Sequence, residues 1–84
     1  MFIINPQINK EEFENEVVLI SPLEEIHCLN QTGSEVWKMI EIGYGLDEIV
    51  NTFSNKYNIE RSIIMKDVKE IVDMLITKKL ITVK

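Results

Sequence analysis

The two side chains best suited to chemistry, His27 and Cys28, are neighbours in the sequence. A thiol beside an imidazole suggests a nucleophile activated by a general base. The surrounding residues, Glu24 to Leu29, have the pattern of a β-strand, in which successive side chains point to opposite faces of the sheet. The two groups therefore cannot form a Cys–His pair without distortion, and we predict no catalytic residues.

Metal and acid–base chemistry have no better candidates. With one His and one Cys, the chain falls short of a zinc site, which needs about four ligands at defined spacing. Carboxylates cluster at Glu11, Glu12, Glu14 and Glu16, but no apolar pocket flanks them to keep a carboxylic acid protonated. We interpret them as a solvated acidic face that could steer a basic peptide. The sequence thus predicts neither an enzyme nor a bound metal or cofactor.

The composition indicates one globular domain over residues 1–84, with 45% hydrophobic and 27% charged residues. Its formal charge of −5 repels phosphate, so nucleic acid is not an expected partner. A single cysteine cannot close an internal disulfide, and the short apolar start MFIINPQINK is neither a signal peptide nor a membrane span. We therefore expect a cytoplasmic protein.

Local patterns predict an α+β fold in which a three-stranded antiparallel sheet precedes three helices. Short runs rich in β-branched residues predict strands at Phe2–Ile4, Val17–Ile20 and Glu24–Leu29. Capping residues and helical spacing predict helices from about Ser34 to Gly43, from Leu46 to Asn58, and from about Glu60 to Lys78 or Lys79. Residues 80–83 form either a short terminal strand or an extended tail.

The third predicted helix has a wider apolar arc than one core requires, roughly 220° against roughly 100°. One part is a continuous core stripe of Ile64, Met65, Val68, Val72, Leu75 and Ile76. The remainder is an edge stripe of Ile63, Ile71 and Met74, with Asp67 set among them. This edge stripe either packs against the domain's own sheet or lines a groove in which a foreign peptide joins the sheet edge as an added strand.

The middle and end of the chain resemble a known family. Residues 29–37, LNQTGSEVW, resemble the L-N-x-T-G-x-x-(I/V)-W signature of the PqqD-like proteins. The segments DEIV at 47–50 and YNI at 57–59, and the D-V to L-I ending from Asp67 to Ile81, extend the resemblance to about residues 24–81. One departure is Lys79, where the family commonly has a glycine that caps the helix, so the third helix is expected to be longer here.

The resemblance implies a winged helix-turn-helix-like domain, the recognition element for ribosomally made, modified peptides. In such proteins the leader of a precursor peptide adds as an antiparallel strand to the third strand, with apolar side chains against the third helix. Transferred to this chain, the implied peptide-binding residues are Glu24, Glu25, Ile26, His27, Cys28, Leu29, Ile63, Ile64, Asp67, Ile71 and Met74. Asp67 either contacts the peptide or pairs within the fold.

The implied partners are a precursor leader peptide and a separate modifying enzyme, such as a leader peptidase, a cyclase or a radical enzyme. The resemblance implies a pathway of the lasso-peptide or pyrroloquinoline-quinone type. No cofactor and no membrane is implied, and dimerisation is left open. The alternative function is a winged-helix DNA-binding transcription regulator. Charge argues against it, because the second helix has only Lys56 near its end and carries Asp47 and Glu48 at its start.

Overall fold

The computed structural model describes all 84 residues as five strands and three helices. Their order is β1 (Phe2–Ile4), β2 (Asn9–Phe13), β3 (Glu16–Ile20), β4 (Ile26–Cys28), α1 (Gln31–Glu41), α2 (Leu46–Tyr57), α3 (Arg61–Thr77) and β5 (Ile81–Val83). Strands β2, β3 and β4 form an antiparallel sheet in that order, and β1 pairs with β5 in a separate two-stranded sheet. The predicted α+β class, with a three-stranded antiparallel sheet and three helices, is confirmed.

The first strand of the three-stranded sheet is not the predicted one. We expected Phe2–Ile4 in this position, but the strand is Asn9–Phe13, all of whose residues are exposed. It pairs with β3 along its full length. The connecting turn at Glu14 and Asn15 has φ angles of 52° and 70°, the left-handed conformation of tight hairpin turns. Because β2 buries no side chain, it carries no hydrophobic pattern from which it could be predicted.

The two-stranded sheet joins the two ends of the described chain. Phe2 faces Val83 and Ile4 faces Ile81 in an antiparallel ladder. Ile81 is fully buried in the core. Of the two alternatives for residues 80–83, the terminal strand is therefore confirmed. The apolar run at Phe2–Ile4 correctly indicated a strand, but its partner lies at the far end of the sequence, where local patterns give no information.

The core lies between the inner face of β3, the three helices and β5, and it contains 15 buried apolar residues. Trp37 is 1% exposed within it, in agreement with a structural role for this aromatic. The helix boundaries agree with the predicted ones to within a turn. None of the helices is both long and apolar enough to cross a membrane.

The start of α1 is fixed by Asn30, whose side-chain oxygen accepts a hydrogen bond from the Gly33 N–H at 2.8 Å. A Cβ added at Gly33 would lie 3.3 Å from this oxygen and 3.5 Å from the Leu29 Cβ. Glycine therefore lets the first turn of the helix approach the end of β4 closely.

The next residue, Ser34, connects α1 to two strands at once. Its hydroxyl accepts a hydrogen bond from the Val17 N–H at 2.8 Å and donates one to the Leu29 carbonyl at 3.2 Å. Ser34 is 1% exposed, so water cannot replace either bond. This one side chain sets the position of β3 and of the end of β4 relative to the helix.

The end of α3 corrects the expectation that lysine in place of glycine lengthens the helix. The helix stops at Thr77, and Lys79 has a φ of 60°, in the left-handed region that glycine usually occupies. The Lys79 N–H donates to the Ile76 carbonyl and the Leu80 N–H to the Leu75 carbonyl, each at 2.9 Å. These are the two bonds of a Schellman motif. The lysine thus adopts the glycine conformation, and burial of Leu80 and the β5 pairing beyond it hold it there.

We predict that Ser34→Ala lowers the free energy of unfolding by about 1–3 kcal/mol, because it leaves the buried Val17 N–H without an acceptor. Urea unfolding followed by circular dichroism measures the change. Ser62→Ala, at an exposed serine of α3, is the matched control and should change the stability much less. Equal stabilities for the two variants would contradict a structural role for the Ser34 hydroxyl.

Candidate functional site

Strand β4 forms an open edge of the three-stranded sheet. On its other side the Leu29 N–H, just beyond the strand, donates to the Val17 carbonyl of β3 at 2.9 Å. In an antiparallel ladder, residues whose backbone groups face the partner alternate with residues whose groups point away from it. The N–H and C=O groups of Ile26 and Cys28 therefore point away from β3. Each offers an unpaired donor and acceptor to an added strand.

The opposite edge of the same sheet is protected against such pairing. The same alternation makes Lys10 and Glu12 the outward residues of β2. The Lys10 ammonium lies 3.1 Å from the Glu41 carboxylate, and Glu12 lies 3.7 Å from the Lys38 ammonium. Charged side chains on an edge strand discourage the addition of another strand. The outward residues of β4, Ile26 and Cys28, carry no such charges, so this edge lacks the same protection.

The side chains of β4 alternate as predicted. Ile26, which is 67% exposed, and Cys28 lie on the outer face, whereas His27 and Leu29 point inward. The Nε2 of His27 has no hydrogen-bond partner and lies 3.7 Å from a carboxylate oxygen of Glu25. His27 and Cys28 are thus on opposite faces and cannot act as a pair. No group of three or more His, Cys, Asp or Glu side chains is arranged to hold a metal ion.

Helix α3 separates its apolar residues into a buried and an exposed stripe. The buried ones are Ile64, Val68, Val72 and Leu75. On the edge stripe, Ile63 is 54% and Met74 36% exposed, while Ile71 is half-buried against the core. Two predicted core residues are less buried than expected, since Met65 is half-buried and Ile76 is 36% exposed. Ile63 and Met74 are thus not covered by the domain's own sheet, whereas Ile71 packs partly against the core.

Two surface depressions show how α3 lies relative to β4. Thr32, which follows β4, and Asp67 of α3 line a depression of about 240 Å³. Glu25, which precedes β4, shares another of about 210 Å³ with Lys78 and Lys79 at the end of α3. The helix therefore runs beside β4 in the opposite direction. We call the surface between the backbone edge at residues 26–28 and the edge stripe of α3 the β4–α3 groove.

The predicted site residues do not all reach this groove in the same way. Glu24 lies in the turn before β4 with a φ of 63°, outside the strand. Ile26 and Cys28 offer backbone groups to the groove, while their side chains lie on the outer face of the sheet. Ile64 is 7% exposed and belongs to the core, where it lines the depression near Thr32. Leu29 is 5% exposed, belongs to the core and pairs through its N–H with Val17, and His27 also points inward. Glu25 lies just before β4, and the remaining predicted residues, Ile63, Asp67, Ile71 and Met74, lie on the edge stripe of α3.

The depression near Thr32 is mainly apolar. Its walls come from all three helices and the loop before α3, with Thr32, Phe53, Tyr57, Ile59, Ile64, Asp67 and Val68 as lining residues. The Asp67 carboxylate makes no hydrogen bond or ion pair within the chain, so nothing supports its alternative role of pairing inside the fold. Sequence reasoning did not assign Phe53 and Tyr57 to the site, because their spacing marks them only as the core stripe of α2.

Glu35 of α1 fixes the position of Tyr57. The tyrosine hydroxyl donates to the Glu35 carboxylate at 2.9 and 3.2 Å, and the Lys56 ammonium donates to it at 2.8 Å. The hydrogen bond from Lys56 is the main reason why the pKa of Glu35 lies below its usual value, and the same bond raises the pKa of Lys56. This cluster connects α1 to the end of α2 and holds one wall of the depression.

The sequence of the chain matches a known protein family. Residues 16–81 match the PqqD family, described as coenzyme PQQ synthesis protein D. The match covers most of the chain. The chain belongs to the PqqD family. The resemblance carried by the LNQTGSEVW segment and the D-V to L-I ending is thereby confirmed. No curated protein sequence matches the chain significantly.

Two solved structures have the same fold as this PqqD-family chain. One is TbiB1 in complex with the TbiA(β) leader peptide, with a TM-score of 0.90, 24% identity, and coverage of 98% of this chain and 96% of that one. The other is a lasso peptide synthetase B1 complexed with the leader peptide, with a TM-score of 0.88, 19% identity and 98% coverage of both chains. At these identities the similarity establishes the fold.

The Glu35 cluster predicts a pH dependence of stability. A carboxylate whose pKa is lowered by folding contributes stability in full above its unfolded value, here 4.5, and the contribution is lost as the pH falls through the lower folded value. Glu35→Gln should therefore lose less stability than the wild type on acidification below that pH. Urea unfolding across a pH series measures this. Glu70→Gln, at a carboxylate without an ion pair, is the control and should follow the wild-type curve.

Proposed function

We propose that this PqqD-family chain binds the leader region of a precursor peptide in the β4–α3 groove and presents it to a separate modifying enzyme, such as a leader peptidase, a cyclase or a radical enzyme. The observation that carries the proposal is the unpaired backbone edge of β4 running beside the exposed apolar stripe of α3. A peptide added there pairs its backbone with β4 and turns alternate side chains toward the helix.

The dimensions of the groove set the length of the bound segment. From Ile63 to Met74 the edge stripe spans eleven steps, which is about 16 Å along a helix. A β-strand covers this distance with about five residues, of which every second one faces α3. The peptide therefore needs two or three apolar side chains at alternating positions. Met74 suits such a surface, because its flexible thioether adapts to side chains of different shape.

The orientation of the groove assigns roles to its two ends. A peptide antiparallel to β4 places its N-terminal part near Thr32 and its C-terminal part near Glu25. The apolar depression near Thr32 then receives an N-terminal anchor side chain. Asp67, which has no partner within the chain, is available there for a hydrogen-bond donor or a cation of the peptide.

The comparisons support this proposal in two ways. The chain belongs to the PqqD family over residues 16–81. Both similar solved structures contain a leader peptide bound to a protein of the same fold. By contrast, no observation favours the DNA-binding alternative. Lys56, the one cation of α2, is paired with Glu35 at 2.8 Å and is not free for a phosphate.

Met74→Glu should weaken binding of a leader peptide by about tenfold or more, because it places a charge in the apolar wall of the groove. The control is Ile76→Glu, since both parent side chains are 36% exposed but lie about 200° apart around α3. A fluorescein-labelled synthetic leader, titrated by anisotropy, reports the affinity. Equal affinities of the two folded variants would contradict the placement of the groove on this side of α3.

The substitution Cys28→Pro tests whether the peptide adds to β4 as a further strand. Proline removes the N–H that points away from β3 and leaves the ladder between β3 and β4 without a lost bond. We expect affinity for the labelled leader to fall while the circular dichroism spectrum stays that of the folded protein. Cys28→Ser, which keeps the N–H, is the control and should bind as the wild type does. Full affinity of the folded proline variant would exclude pairing of the peptide with this edge.

A further inference from the structure

The outer face of the three-stranded sheet carries an apolar patch. Outward positions of a sheet with one buried face are normally polar. Here Val18 faces Cys28 and Ile20 faces Ile26 on that side. Ile26 is 67% exposed, and Phe13, on the same face at the tip of the β2–β3 hairpin, is 74% exposed. We call these five residues the outer patch.

The outer patch is concave at one end. Phe13, Val18 and Cys28 line a depression of about 340 Å³ whose rim includes Glu14 and Glu16. An exposed aromatic ring beside an apolar hollow is a typical anchor point of a protein interface. Neither the core nor the β4–α3 groove uses this ring.

The rim of the patch is acidic and has no counter-charges. Glu11, Glu14 and Glu16 make no ion pair and no side-chain hydrogen bond within the chain. The one cation in the three strands, Lys10, is paired on the inner side with Glu41. The rim therefore presents uncompensated negative charge around an apolar centre.

We infer that the outer patch docks a second protein with a positively charged rim, namely the enzyme that acts on the bound peptide. A second copy of this chain would bring the same glutamates against each other in a two-fold interface, which like-charge repulsion disfavours. Phosphate-bearing partners are repelled for the same reason. A basic protein surface is the one occupant whose charge complements the rim.

The position of the patch explains how such an enzyme would find the peptide, a step that rests on the proposed function. A strand added to β4 extends the sheet by one strand next to Ile26 and Cys28. Every second side chain of that strand then points to the outer face, because side chains alternate along a strand. An enzyme docked on the outer patch would contact the domain and the peptide together, while the alternate side chains remain held against α3.

The purified modifying enzyme encoded beside the precursor peptide serves as the probe, with its affinity measured by calorimetry with and without the leader. We expect Phe13→Ala and Glu16→Lys each to weaken enzyme binding by about tenfold, with the wild-type affinity falling as salt is added. Asp73→Lys makes the same charge change on the exposed side of α3 and should leave enzyme binding unchanged.

The only cysteine of the chain provides an independent readout, because Cys28 is exposed and lies in the patch. Its rate of alkylation by iodoacetamide should fall at least about tenfold when the enzyme is bound, as expected for burial of a thiol in an interface core. An enzyme that binds the wild type without protecting Cys28, or binds both patch variants with full affinity, overturns the inference. Failure of the enzyme to bind the wild type in the presence of leader overturns it as well.

The labelled leader distinguishes this failure from failure of the proposed function. Phe13→Ala and Glu16→Lys should bind the leader as the wild type does, because neither residue lies in the β4–α3 groove. If the leader does not bind any of the proteins but the enzyme still protects Cys28, the proposed function is wrong and the docking surface stands. If the leader binds normally and the patch variants still bind the enzyme, only the docking surface is wrong.

Discussion

The hydroxyl of Ser34 is the contact on which the arrangement of the groove depends. It accepts from the Val17 N–H and donates to the Leu29 carbonyl, so it binds the first turn of α1 to β3 and to the residue that follows β4. The Asn30 cap and the close approach at Gly33 fix the direction in which the helix leaves the strand. Together they determine which backbone groups of β4 face β3 and which point away. β4 is an edge because it is the last strand of the sheet, and its anchoring decides which of its residues point their backbone groups outward.

The two edges of the sheet differ in their protection against pairing with another strand. On β2, Lys10 and Glu12 form ion pairs with Glu41 and Lys38, and these charges discourage unwanted strand pairing. On β4, the outward residues are Ile26 and Cys28, which have no such protection. A small domain that exposes an apolar strand edge risks association with its own copies, and a formal charge of −5 opposes that through repulsion between molecules.

Local sequence patterns predicted the parts of the fold that bury side chains at regular spacing. The three helices, β3, β4 and the two stripes of α3 all follow from such periodicity. Strand β2 could not be predicted, because none of its side chains is buried and only backbone pairing and the turn at Glu14 and Asn15 define it. The pairing of β1 with β5 joins opposite ends of the sequence, and local patterns contain no information on such contacts.

Two further features could be predicted from the sequence only in part, namely the end of α3 and the candidate site. Lys79 adopts the left-handed conformation at a cost of about 1 kcal/mol. The Schellman hydrogen bonds, the burial of Leu80 and the pairing of β5 offset this cost. For the site, the edge stripe of α3 was predictable from the width of its apolar arc. The depression near Thr32 was not, because Phe53 and Tyr57 reach it from another helix and Glu35 positions the tyrosine.

In the proposed binding mode, the two walls of the groove supply different parts of recognition. In this mode the backbone groups of Ile26 and Cys28 pair with the backbone of an extended peptide of any sequence. The edge alone therefore fixes the spacing and direction of the peptide but does not select its side chains. The edge stripe of α3 selects apolar side chains, but a helix face alone cannot define which residues of a flexible peptide dock. Combined in the proposed mode, the edge sets a two-residue repeat and the stripe contacts every second side chain of the peptide. Because α3 is held by α2 and β5 while β4 is held by β3 and Ser34, the spacing between these walls is a property of the whole fold.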